Sequence, residues 1–383
     1  MEEVLLRTRE LVRQYEELVR GELPDGVEIF DAHTHLGLDI DGMRGERDEL
    51  LRVQRAHGIT RSFMFCLDEP DRHPGFRAPN DRTLEHAAAS DGELIPFVRL
   101  DLSEGPIEEA MRCLDLGARG IKLHPRAQKF LLDDARLAPV FELAADRKVP
   151  ILIHGGRGLP PIADHLAHLM DRYEPQLIIA HAGIADLAAL AGHFGGRPGV
   201  FFDTSVWSPL DLLDLYRLVS PEQVLYASDY PYGAQPASLL ASLRTARMAG
   251  LDDAQLEAML GGSARRIAAG EQALELTPPR GPSEISHPLT FARIHQYLSM
   301  ATPLLWTRQA DTIGVLGLAL NACDERSNGH RDDTERIREL LSVARDLWRT
   351  FPETEDEEER VALARAAFRL LHLANITAVT SPA

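Results

Sequence analysis

Asp31, His33 and His35 stand two residues apart in Phe30-Asp31-Ala32-His33-Thr34-His35, directly after the apolar Val27-Glu28-Ile29 and shortly before Gly37. In an extended strand alternate side chains share a face, so this spacing predicts that the three project together while Ala32 and Thr34 point the other way. Two neutral imidazoles side by side, with room for ligands from elsewhere in the chain, suit a zinc-like divalent metal. Alone, such a pair reads more simply as two surface histidines at a strand end, so the other strand ends must decide.

Those ends belong to a repeating pattern. Apolar runs recur at 27–35, 61–67, 94–100, 120–124, 150–154, 176–181, 199–204 and 223–229. Between them lie helix candidates at 47–57, 81–89, 106–116, 133–147, 161–173, 185–193 and 209–219, with Pro106, Pro161 and Pro209 in first-turn positions and a further helix starting near Pro236. Eight strand and helix units in roughly 240 residues match a closed (β/α)8 TIM barrel better than an open doubly wound sheet. The glycine-rich phosphate fingerprint of the open alternative is missing after the first strand. Barrel active sites form at the C-terminal ends of the strands, so the polar residues that close each run are expected on one rim.

They are chemically consistent. In Gly120-Ile121-Lys122-Leu123-His124-Pro125, Ile121 and Leu123 face the helices while Lys122 and His124 share the other face; the fifth run ends in His154-Gly155-Gly156, the sixth in His181-Ala182-Gly183 and the eighth in Ser228-Asp229-Tyr230-Pro231. Arg99 and Asp101 close the third run more ambiguously. A single strand-end histidine is commonly structural, but five histidines and an aspartate converging on one rim are hard to obtain by accident. Arg126 and Arg157 follow the fourth and fifth strands, where they could clamp a substrate carboxylate with paired donors or simply be surface residues. Trp207, Tyr230 and Tyr232 could wall the site or pack the barrel rim. The proline-containing segment 68–80, with Asp71, Arg72 and His73, has the length of a lid.

These combined motifs, with Gln128 after the fourth strand, resemble the amidohydrolase superfamily. More narrowly, they resemble the amidohydrolase-related branch that includes enzymes of the aminocarboxymuconate semialdehyde decarboxylase type. The resemblance spans about residues 27–268 and departs at Ser263, where that branch often has Asn. It implies His33, His35, His154 and Asp229 as metal ligands and His181 as a catalytic group. Such a site leaves a coordination position for water, acidified from pKa near 16 to about 7, with Asp229 as base and His181 or the metal polarising a carbonyl. The implied metal is zinc, with manganese or iron as alternatives. One ion is expected, or two if a carboxylated Lys122 bridges a pair. His124 reads as a substrate contact or a strand terminator. The expected reaction is hydrolysis of an amide, ester or lactone; the alternatives are nonoxidative decarboxylation of an aromatic or unsaturated acid, or a non-catalytic metal-binding scaffold.

The chain is otherwise an acidic one of 383 residues, 44% hydrophobic, with a formal net charge of −18. That balance argues against nucleic acid or an anionic membrane and for a small-molecule partner, with a carboxylate on the substrate suiting the arginines. Cys66, Cys113 and Cys323 form no paired motif, the start is acidic and no apolar run approaches spanning length, which together suggest a cytoplasmic protein. The expected organisation is an amphipathic helix within 1–26, the barrel over 27–270, a Pro- and Gly-rich linker over 271–286 and an all-helical extension over 287–383. Helices are expected near 288–300, 307–323, 334–349 and 355–377. That extension could mediate homo-oligomerisation, cover the barrel mouth or bind a partner.

Overall fold

A computed structural model describes residues 2–282, 284–285, 287–306, 309, 312–324, 330–351 and 354–381. After α1 (Glu2–Glu22), strand and helix alternate: β1 (Ile29–Leu38), the two-residue β2 (Arg44–Gly45), α2 (Arg47–Ala56), β3 (Ile59–Cys66), α3 (Arg77–Ala88), β4 (Leu94–Arg99), α4 (Pro106–Asp115) and β5 (Gly120–Leu123). The short α5 (Pro125–Gln128), α6 (Leu137–Arg147), β6 (Ile151–Ile153), α7 (Ala163–Tyr173), β7 (Leu177–Ile179), α8 (Leu187–Phe194), β8 (Val200–Asp203), α9 (Pro209–Leu218) and β9 (Val224–Leu225) follow. Three helices, α10 (Ala237–Met248), α11 (Asp253–Glu257) and α12 (Ser263–Ala269), complete this part.

The strands form one sheet in the order β2-β1-β3-β4-β5-β6-β7-β8-β9, parallel throughout except for β2, which pairs antiparallel with β1. Beyond β9 the chain closes the circle. Tyr226 accepts from the Ala32 N–H at 2.9 Å, Asp229 donates its N–H to His33 at 3.0 Å, and His35 donates to Tyr230 at 2.7 Å. This is the expected barrel, and its closing seam ties the first metal-type run to the last.

Strand alternation divides the core. Phe63, Phe65, Phe97, Leu152, Ile178, Phe201 and Leu225 fill the barrel interior, whereas Ile121, Leu123, Ile151, Ile153, Leu177 and Ile179 pack outward beneath the helices. Burying such side chains contributes roughly 1.5–3 kcal/mol each. In β1 the alternation breaks, because its register against β3 shifts between Asp31 and Thr34. Asp31 therefore does not share the cavity with His33 and His35. It is fully buried below it, accepting from the backbone N–H groups of Ser228 (2.9 Å) and His33 (3.2 Å).

Several helix boundaries differ from the sequence reading. α7 begins at Ala163, leaving Pro161 outside the first turn, and α3 begins at Arg77. The latter shortens the expected lid, and its far end is pinned: Asn80 donates to the Arg99 carbonyl at 2.9 Å and accepts the Arg99 N–H at 3.0 Å. Gly261 is required at the barrel floor, since a Cβ there would stand 2.3 Å from the Glu28 carbonyl oxygen. Ser263, the departure from the family pattern, donates its hydroxyl to the Glu222 carbonyl at 2.7 Å.

The extension comprises α13 (Leu289–Trp306), α14 (Thr312–Cys323), α15 (Arg331–Thr350) and α16 (Glu357–Thr380). α15 carries Asp332 and Asp333 in its first turn and buries Ile337, Leu340, Leu341, Ala344, Leu347 and Trp348, an amphipathic stripe at helical spacing. Asp356 caps α16 by accepting the Glu359 N–H at 2.8 Å. α16 packs on α15, α13, α9 and α10, and α1 packs against α15, α16 and α10. Ion pairs Arg7–Glu339 and Arg244–Glu22, at 2.9 and 2.8 Å, tie α1 to both parts. Residue 307, where one tail helix is expected to start, lies outside the described residues. Among the described residues no helix is long and apolar enough to cross a membrane.

Candidate active site

The strand ends open into a cavity of about 1050 Å³ lined by His33, His35, Lys122, His154, His181 and Asp229 among others. At its floor His33 Nε2 lies 3.1 Å from His35 Nε2, and Asp229 Oδ1 lies 3.4 Å and 3.3 Å from those two nitrogens. His33 is held by its other nitrogen: Nδ1 donates to Asp203 Oδ2 at 2.7 Å. That bond places the lone pair on Nε2, so a nitrogen acceptor points at the second imidazole and the carboxylate. A carboxylate behind a histidine is the arrangement that orients metal ligands.

Burial pushes the His33 and His35 imidazoles down, and neither is charged at neutral pH. Burial works the other way on the Asp229 carboxyl, but the hydrogen bond with His35 and the imidazoles around it outweigh that effect and hold it below the usual carboxylate range. Two neutral imidazoles and a carboxylate converging within hydrogen-bond distances, with His35 Nδ1 buried and unpartnered, fit a divalent cation. Asp229 sits in the left-handed region at φ 58°, a strained position for a non-glycine residue that aims its carboxylate at the histidines.

His154 lies outside this group of converging ligand atoms. It stacks on His124 with ring centroids 4.0 Å apart and meets His181 edge-on at 4.7 Å, and both of its nitrogens are buried without partners. Gly156 makes this crowding feasible, because a Cβ there would stand 2.9 Å from His154 Cε1 and 3.0 Å from His181 Cδ2. His181 donates Nδ1–H to the Ser205 carbonyl at 2.8 Å, which fixes its tautomer and leaves Nε2 as the basic nitrogen. Lys122 is buried with Nζ 3.4 Å from His33 Nε2 and 4.6 Å from the centre of the Phe65 ring. Burial pushes its ammonium down to about 7.

Farther out, His124 both lines the cavity and caps α5, accepting the Ala127 N–H at 3.3 Å, while its own N–H donates to Gln128 Oε1 at 2.6 Å. Arg126 and Arg157 are exposed at the mouth, and Arg99 lies buried deeper in the same cavity. Trp207 and Tyr232 line it as well. Tyr230 does not: its ring is buried beside Leu36 and Leu50, and its hydroxyl donates to Glu49 at 2.8 Å, so its reading as a substrate contact gives way to one of packing. From 68–80 only Leu67's neighbour Asp68 reaches the cavity, and His73 pairs with Glu104 at 2.9 Å well away from it.

Asp203 and Ser205 were not anticipated. Asp203 accepts from His33 Nδ1 and from the His181 and Ser205 N–H groups at 2.8 and 3.0 Å, and also takes the Ser205 hydroxyl. The available signal was a carboxylate closing the apolar Val200-Phe201-Phe202 run.

A closed barrel whose strand ends present histidines and an aspartate with metal-ligand geometry defines a metal-type barrel enzyme. A sequence model of the amidohydrolase family matches residues 30–267, and the chain belongs to that family of metal-dependent enzymes. Among solved structures, a candidate amidohydrolase from Staphylococcus aureus is similar at 17% identity and a TM-score of 0.52, over 63% of this chain and 99% of that one. IDCase of Metarhizium anisopliae aligns at 16% identity and 0.50, over 63% and 97% of the two chains. The 5-carboxyvanillate decarboxylase LigW from Sphingomonas paucimobilis aligns at 15% and 0.50, over 64% and 99%. At these identities the likeness shows the barrel fold. No curated protein matches the sequence.

Proposed function

We propose that this enzyme is a metal-dependent hydrolase of a small-molecule amide, ester or lactone. The observation that carries the reading is the convergence of His33 Nε2, His35 Nε2 and Asp229 Oδ1 within 3.1–3.4 Å at the cavity floor. His33, His35 and Asp229 would hold one divalent ion, zinc best matching the nitrogen-rich donor set; His154, outside that converging group but with both ring nitrogens unpartnered in the same cavity, would be a further ligand. Such an ion supplies Lewis acidity and an acidified water. Asp203 fixes the His33 ring, Asp229 would take up the proton released as water attacks, and His181, which lines the cavity, would serve through Nε2 as hydrogen-bond partner and proton carrier for the substrate's carbonyl oxygen or leaving group. Lys122, next to His33, is the residue that would bridge a second ion if carboxylated.

The cations Arg99, Arg126 and Arg157, with the amine of Lys122, on the same cavity favour a second reading, nonoxidative decarboxylation, in which they hold a substrate carboxylate. The test is a panel of aryl esters, lactones, anilides and hydroxybenzoates run with and without chelator. Chelator-sensitive hydrolysis that Asp229→Asn abolishes supports the first reading. Carbon dioxide release alone supports the second. Turnover indifferent to chelator and to Asp229→Asn refutes both. The buried free thiols of Cys66, Cys113 and Cys323 suit a cytoplasmic setting.

A further inference from the structure

The cavity is not made by the barrel alone. His295, Ser299 and Thr302 of α13 and Phe368 and His372 of α16 line it together with the strand-end histidines, although both helices lie beyond the family match at 30–267. Trp207, carried on the loop after β8, is the joint: its ring lies 4.5 Å from Phe368 and 4.4 Å from His372, stacked on the latter at 26°. His295 is fixed in turn, Nδ1 donating to Asn375 Oδ1 of α16 at 2.8 Å. Burial pushes the His372 imidazole down to about 3, so this ring is uncharged at neutral pH.

The cavity therefore has two chemically distinct ends. The floor offers imidazoles, Asp229, the amine of Lys122 and the cation Arg99; the far wall is mainly aromatic and apolar, with Val206 and Leu210 beside Trp207, and carries His295 and Asp211 among its polar groups. At about 1050 Å³ it matches the upper end of the ~300–1,000 Å³ typical of small-molecule sites and exceeds what a short aliphatic acid or ester would fill. We propose that the helical extension is the specificity wall of this site, seating an aryl or similarly large apolar group of the substrate against Phe368 and His372 while its polar end meets the strand-end residues. This rests on reading the cavity as the enzyme's reaction site, and it places substrate selection in a part of the chain that the family pattern does not include.

Calorimetric titration of the full-length, metal-loaded protein with 2-naphthoate and with acetate tests this. The wild type should bind 2-naphthoate at least tenfold more tightly than acetate. Phe368→Ala, and Ser299→Trp, which fills the far end from a half-exposed position, should each weaken 2-naphthoate about tenfold and leave acetate and metal content unchanged. His372→Phe, which keeps the ring but loses the imidazole's hydrogen bond to the Trp207 backbone, should retain the preference for 2-naphthoate over acetate. Equal binding of the two acids, unchanged 2-naphthoate binding in both weakened variants, or a parallel loss of acetate would overturn the proposal. The readout is independent of turnover. Discrimination without any hydrolysis or decarboxylation keeps the wall and refutes the reaction, whereas turnover with acyl preference unaffected by Ser299→Trp does the reverse.

Discussion

At the scale of single residues, Asp203 is the group whose role the contacts define best. It does not line the cavity, yet it holds the His33 ring and the His181 and Ser205 backbone N–H groups at once. Asp203→Ala should lower metal affinity roughly 10–100-fold, the usual cost of removing the partner behind a ligating histidine, measured by competition with a chelating indicator. Asp229→Asn keeps the shape and removes the base, and should cost about 10²–10⁴ in kcat. That His33, His35, His154, His181 and Asp229 meet in one cavity was legible in the sequence, because each closes a hydrophobic run. Asp203 also closes one, but its meaning comes from a partner 170 residues away, which no local pattern encodes. Asp31 misled for a related reason: period-two alternation assumes an unbroken ladder, and β1 changes register beside it.

At the scale of elements, the strand ends and the glycines after them act together. Gly156→Ala should leave the barrel folded but push His154 and His181 apart, reducing turnover and metal retention together; normal activity would show that the imidazoles can yield by several tenths of an ångström. α16 carries a pH dependence of its own. His372 is neutral when folded, with its imidazole pushed down to about 3, whereas an unfolded histidine protonates below about 6.5. The unfolded state thus binds more protons between those values. Stability is fully present above about pH 6.5 and falls on acidification, by up to about 1.4 kcal/mol per pH unit. Urea denaturation at pH 7 and pH 5 should show this loss reduced by up to about 2 kcal/mol in His372→Phe. An identical acid loss in the variant would place the effect elsewhere. The alternating order was legible, since eight apolar runs alternate with amphipathic segments, but the two-residue β2 and the one-turn α5 are too short to leave such a pattern. Helix starts were less so, because first-turn proline signals such as Pro161 compete with the loop that feeds the helix.

At the scale of the molecule, barrel and extension behave as one packed unit around the cavity. α16 lies on α9 and α10, and α1 bridges to α15 and α16. Leu370, Leu371, Leu373 and Ala374 are fully buried, so deletion of 287–383 should expose a large apolar face and yield aggregating or poorly folded protein, seen by size-exclusion chromatography and circular dichroism. A well-folded, active barrel would show the extension to be an accessory. Of the three roles open for this segment from sequence, covering the barrel mouth is the one the cavity lining displays, and it was not legible because the register between two helical hairpins and a barrel rim is set by contacts across the whole chain. The central claim remains the ion at the floor of that cavity. Elemental analysis of protein purified without added metal, repeated on His33→Ala, tests it most directly. The account predicts one equivalent of zinc, manganese or iron in the wild type and its loss in the variant. No metal in either, even after reconstitution, would contradict it.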